Sequence, residues 1–79
     1  MKLRRLAKDA NSGRNGCPAV YVDEDNPAVM AVQAKRAGRG ARRQMISWLR
    51  GEVAGVIPAE TVVRAVRAYL ADHPEAGRL

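Results

Sequence analysis

Phenylalanine is missing from this chain of 79 residues, and its only aromatic residues are Trp48, Tyr21 and Tyr69. A core must therefore be built from Val, Leu, Ile, Ala and Met. Chains this short bury only about 60% of their unfolded surface. So thin an aliphatic core is compatible with a homodimer, or with a partner that adds buried area. Cysteine is nearly absent as well. Cys17 stands alone, so no internal disulfide forms, which fits a reducing compartment. Long apolar runs are lacking: none approaches the roughly 18 residues of a membrane span. The basic start Met1–Lys2–Leu3–Arg4–Arg5–Leu6 is not followed by the apolar stretch of a secretory signal. The expectation is a cytoplasmic protein that makes no use of a membrane.

The residue types that carry chemistry are equally sparse. A nucleophile needs a base within hydrogen-bond reach, and His73 is the only histidine. Standing before Pro74, it reads as an exposed residue at a helix end. Cys17, between Gly16 and Pro18, reads as a small buried hydrophobe. Zinc wants about four Cys or His ligands, and the chain has two such residues, far apart. Asp23–Glu24–Asp25 lacks the spacing of a calcium loop. It reads as a solvated turn, with a contact to the chain's own basic segment or a partner's as the alternative. Gly38–Arg39–Gly40 and Asn11 to Gly16 match neither the phosphate loop nor the dinucleotide fingerprint. No catalytic residue, metal or cofactor is expected, and the class of function left is binding.

Acidic residues are few, 8 against 14 Lys and Arg, for a net charge of +6. The isoelectric point is about 10.5, and a value above about 9 is one mark of a nucleic-acid binder. From Ala28 to Arg50 there is no acid at all, while Lys35, Arg36, Arg39, Arg42, Arg43 and Arg50 fall there. One reading of this segment is a solvated, mobile loop. The other is contact with phosphates by Lys35, Arg36, Arg39, Arg42 and Arg43, helped by Arg4 and Arg5. The planar fork of arginine matches phosphate oxygens, and such attraction is largely independent of base sequence. Trp48 is expected in the core. Exposed beside Arg42 and Arg43, it would instead be a stacking platform.

Several elements can be read from spacing. Leu3, Leu6, Ala7 and Ala10 recur at helical intervals, so residues 2–10 read as a helix. Asn11 to Gly16 reads as a flexible loop. Pro18 to Val22 and Ala28 to Gln33 read as two strands of a hairpin about the polar turn Asp23–Pro27. Residues 41–50 carry an apolar stripe (Met45, Ile46, Trp48, Leu49) that suits a helix ending at Gly51–Glu52, with a second half that continues as a strand toward Val53 as the alternative. Val53 to Ile57 suits a third strand. Pro58 opens a last helix, with Glu60 in its first turn, an apolar face of Val62, Val63, Val66, Tyr69 and Leu70, and a stop at His73–Pro74.

The result is one small α+β domain over 1–79. A small antiparallel sheet (hairpin 18–33 plus a strand near 53–57) packs against a C-terminal helix (58–73). Residues 1–15 are expected to be flexible and 74–79 to fray.

Two stretches carry a family resemblance. They are Gly16–Cys17–Pro18–Ala19–Val20–Tyr21, with Val32–Gln33 after the turn, and Leu49–Arg50–Gly51–Glu52–Val53–Ala54 running into Ile57–Pro58–Ala59–Glu60. Together they resemble small actinobacterial proteins of uncharacterised function, encoded beside helix-turn-helix regulators. That group has a Cys-Pro-x-Val-Tyr strand, a Val-Gln-Gly strand end, and a Leu-Pro-Gly-Glu turn before a strand and a final helix. Ala34 stands here in place of the glycine and Arg50 in place of the proline. The resemblance implies a non-enzymatic accessory of transcriptional control held by a regulator protein, and it carries over no site residues. Two expectations follow: a regulatory protein that works through a helix-turn-helix regulator, or direct nucleic-acid binding through segment 35–50.

Overall fold

The computed structural model describes residues 1–10 and 18–78. The expectations for the loop 11–16 and for Cys17 lie outside them. The fold is α+β. Strands β1 (Leu3–Lys8), β2 (Ala19–Asp23) and β3 (Met30–Gln33) form an antiparallel sheet in the order β1-β2-β3. Two further strands, β4 (Lys35–Arg36) and β5 (Gly55–Val56), form a separate ribbon. Helix α1 (Arg39–Gln44) lies between them in sequence. Helix α2 (Ala59–Asp72) follows, and a short 3-10 turn (Pro74–Arg78) occupies the tail expected to fray.

The expected hairpin is β2–β3, in register from Ala19↔Gln33 to Val22↔Met30. Its turn forms because Asp23 is an apt first turn residue. Its carbonyl accepts from the Asn26 amide at 3.1 Å. Its Oδ1 accepts from the Asp25 amide at 3.0 Å and from the Lys2 amide at 3.3 Å. Asp25 and Glu24 pair with the N-terminal amine (3.5 Å) and Arg4 (3.9 Å). The acidic turn thus serves its own end of the sheet, not the basic segment.

The first residues form a strand, not the helix that their spacing predicts. Part of the stretch expected to be flexible is therefore a paired edge of the sheet. The register of β1 on β2 shifts between Arg5 and Ala7. Such a bulge inserts one unpaired residue and breaks period-two alternation. Here it lets both Leu6 and Ala7 join the core, which imitates helical spacing. The third strand of the main sheet is therefore β1. The segment expected near 53–57 is a strand, but it pairs with Lys35–Arg36.

Helix α2 covers β1 and β2. Pro58 stands at its N-cap and offers no capping side chain, and its carbonyl accepts from the Thr61 amide at 3.0 Å. Glu60 and Arg64, four apart on the helix, pair at 2.9 Å, and Arg64 Nη2 also donates to the Lys8 carbonyl at 2.6 Å. At the far end Tyr69 Oη donates to the Pro27 carbonyl at 2.7 Å and Arg4 Nη2 to Asp72 at 2.8 Å. These bonds pin the helix across the sheet at both ends.

The buried face of α2 differs from the expected one. Thr61 and Ala65 are fully buried, whereas Val62, Val63 and Val66 remain exposed. Small residues four apart let the helix backbone lie close on Ala7 and Val20. That closeness rotates the valine stripe away from the sheet. The core is accordingly small: Ala7, Ala19, Val20, Val22, Ala37 and Ala65. Strand β3 lies beyond the helix, and its Val32, on the same face as Val20, stays 58% exposed.

Candidate nucleic-acid interface

The basic segment begins in the β4–β5 ribbon. A Cβ at Gly55 would stand 3.1 Å from Ala34 Cβ and 3.3 Å from the Lys35 carbonyl oxygen. Any side chain there would push the two strands apart by a few tenths of an ångström. The Ala37 amide, donating to Ala54 O at 3.0 Å, extends the pairing. The ribbon holds Lys35 and Arg36 at the surface, both exposed.

Helix α1 follows at once and owes little to the core. It buries no residue, and Gly38 offers no capping side chain. Arg39, Arg42 and Arg43 are spaced three and four apart and so share one face, where like charges cost a few tenths of a kcal/mol per pair. Arg42 and Arg43 recover part of this by standing in the last turn, at the negative end of the helix dipole. The helix thus holds three guanidinium groups on one side, with their mutual repulsion left for an anion to relieve.

The helix expected over 41–50 stops at Gln44. Met45 is extended, and Ser47 takes a positive φ of 66°, in the left-handed region. There an L-residue cannot continue a right-handed helix. The chain then turns at Leu49–Glu52. Gly51 has φ 92°, the Glu52 amide donates to Leu49 O at 3.1 Å, and Glu52 Oε1 accepts from the Leu49 amide at 2.9 Å. A positive φ at the third residue of a hydrogen-bonded turn is the type II pattern that favours glycine there.

Between these two left-handed residues stands Trp48. It is not in the core: 40% of it is exposed. Its Nε1–H donates to the Met45 carbonyl at 3.1 Å, and the Arg42 guanidinium carbon lies 5.7 Å from its ring centroid. That is within the range of a cation–π contact, worth about 0.5–1 kcal/mol at an exposed site. The indole is held by its own loop and by an arginine, with no buried neighbour cluster around it.

Arg39, Arg42, Arg43 and Trp48 line one open hollow of about 330 Å³. A neighbouring groove of about 550 Å³ is lined by Lys35, Arg36 and Arg42 together with Glu52, Val32, Val53 and Ile57. Arg42 belongs to both. The five cations singled out by sequence thus border two hollows with one shared residue. Among the described residues none of them, nor Arg50, forms an ion pair. Arg4, expected to assist, is instead engaged by Asp72 and Glu24 on the sheet.

No family model, curated protein or solved structure matches this chain. Its chemistry must be read from its own residues. Among the described residues no group of three His, Cys, Asp or Glu side chains is placed to hold a metal ion. His73 stacks on Tyr69 with ring centroids 4.4 Å apart, and its Nδ1 lies 3.2 Å from the Tyr69 carbonyl oxygen. Its contacts are those of a residue closing a helix. No described helix is long and apolar enough to cross a membrane. What the arrangement offers chemically is a cluster of unpaired cations around one accessible indole.

Proposed function

We propose that this chain is a nucleic-acid-binding module of the cytoplasm that grips the phosphate backbone through Lys35, Arg36, Arg39, Arg42 and Arg43. The observation that carries the reading is the half-exposed Trp48 under Arg42, set among cations that form no ion pair among the described residues, with Glu52 the one carboxylate lining their groove. Surface arginines in folded domains are commonly offset by neighbouring acids, as Arg4 and Arg64 are here. A cluster left uncompensated raises the local positive potential and concentrates polyanions. The contacts are to phosphates, so affinity depends little on base sequence and strongly on salt.

Fluorescence anisotropy with a labelled oligonucleotide of mixed sequence, titrated at several salt concentrations, tests this reading. If all five cations engage, log K falls against log salt with a slope near −4.5 on duplex and about −3.5 on a single strand. No binding at low salt would overturn it.

A second reading rests on a different observation. Among the described residues the outer edge of β3 has no strand partner, and Val32 faces the groove that Val53 and Ile57 also line. An open edge beside apolar side chains suits strand addition by a protein segment. In this reading the chain is a regulatory accessory, and a helix-turn-helix regulator of transcription is the partner. Enrichment of a DNA-binding protein on the purified chain would favour it over direct contact with nucleic acid.

A further inference from the structure

We infer that the ligand class of this site is single-stranded nucleic acid, with an unpaired base stacked on Trp48 and its flanking phosphates held by Arg39, Arg42 and Arg43. The inference rests on the nucleic-acid reading and sharpens it. In a duplex the faces of the bases are already stacked on one another, so an indole finds only edges and phosphates. Only an unpaired base offers a face, and every base has one, which makes such stacking tolerant of sequence.

Three features of the structure point the same way. Trp48 is accessible and yet fixed in orientation, by its bond to Met45 O and by Arg42 over the ring. A tethered ring loses less freedom on stacking than a free one. The arginines that line the hollow stand on the adjoining turn and a half of helix, so base and backbone are met at one place. Finally, the elements that read duplex grooves are poorly provided. Helix α1, which carries the arginines, has only six residues, about 9 Å of helix, and its one amide side chain is Gln44. That Gln44 donates its amide to the Gly40 carbonyl at 3.2 Å, within its own helix.

The test compares a labelled single strand of mixed sequence, as DNA and as RNA, with the corresponding duplex, at low salt. Because Trp48 is the only tryptophan, intrinsic fluorescence reports on the site directly. The expected result is tighter binding of the single strand, in either sugar, with quenching of tryptophan emission on binding. W48A should then weaken single-strand binding by about 5- to 150-fold, the range measured for base–aromatic stacking, while W48F retains most of the affinity. Thermal melts of both variants exclude unfolding as the cause. Equal affinity for strand and duplex, unquenched emission and an unaffected W48A would overturn the stacking inference and leave phosphate binding standing. Failure to bind any of the three probes at low salt would overturn both.

Discussion

Replacing Arg39, Arg42 and Arg43 together by glutamine is expected to lower nucleic-acid affinity by nearly three orders of magnitude, about 500-fold, near 50 mM salt, uniformly across base sequences. The size follows from counterion release. Each phosphate neutralised on a single strand contributes about 0.7 to the salt slope, so losing three contacts flattens it by about 2. The gap between parent and variant narrows as salt rises, because the lost term is itself salt-dependent. Glutamine keeps a good helix former at each position, and α1 buries none of its side chains. The melting temperature should therefore stay within a few degrees of the parent's. A variant that loses affinity but keeps the parent's slope would show that these arginines act other than through phosphates.

The second large effect concerns the fold. Ala65→Leu is expected to destabilise the domain by about 1–3 kcal/mol. Ala65 is fully buried against Ala7 and Val20, where the helix backbone lies close because the residue is small. The added isobutyl carbons have no space unless α2 lifts from the sheet. Lifting it would strain the bonds from Tyr69 to Pro27 and from Arg64 to Lys8. A domain of this size shifts its melting temperature by about 4–8 °C per kcal/mol. Its whole stability is on the order of 5–10 kcal/mol. Calorimetric or circular-dichroism melts should show a drop of roughly 5–20 °C. An unchanged melting temperature would mean that α2 does not sit on the sheet as described.

The parts of the molecule legible in the sequence are those whose signals are local. The β2–β3 hairpin announces itself through β-branched runs on either side of Asp23 to Pro27. Helix α2 does so through Pro58, Glu60 and the stop at His73–Pro74. Strand β1 was illegible because its bulge at Leu6 places two successive residues toward the core, which reproduces helical spacing without a helix. Which face α2 buries was illegible for a related reason. Hydrophobicity favours Val62, Val63 and Val66, but close approach to the sheet favours Thr61 and Ala65. The two-residue strands β4 and β5 are too short for any periodicity, and their pairing joins segments about twenty residues apart in sequence.

The candidate site divides in the same way. The cations were plain from composition, because charge is additive along the chain. The position of Trp48 was not. It depends on the extended Met45 and the left-handed Ser47, which keep the helix from running past Gln44 and carrying the indole into an apolar stripe. The available hint was the absence of any acid from Ala28 to Arg50, and among the described residues Arg42 forms no ion pair and stands over the ring instead.

The most direct measurement is a map of backbone amide and tryptophan indole chemical shifts in a ¹⁵N-labelled sample, titrated with a short single-stranded oligonucleotide at low salt. The account predicts the largest changes over residues 35–50, including the Trp48 indole N–H, with β1 and the Arg4–Asp72 side of the sheet unmoved. Changes absent from 35–50, or confined to Met30–Gln33 and the sheet face, would contradict it.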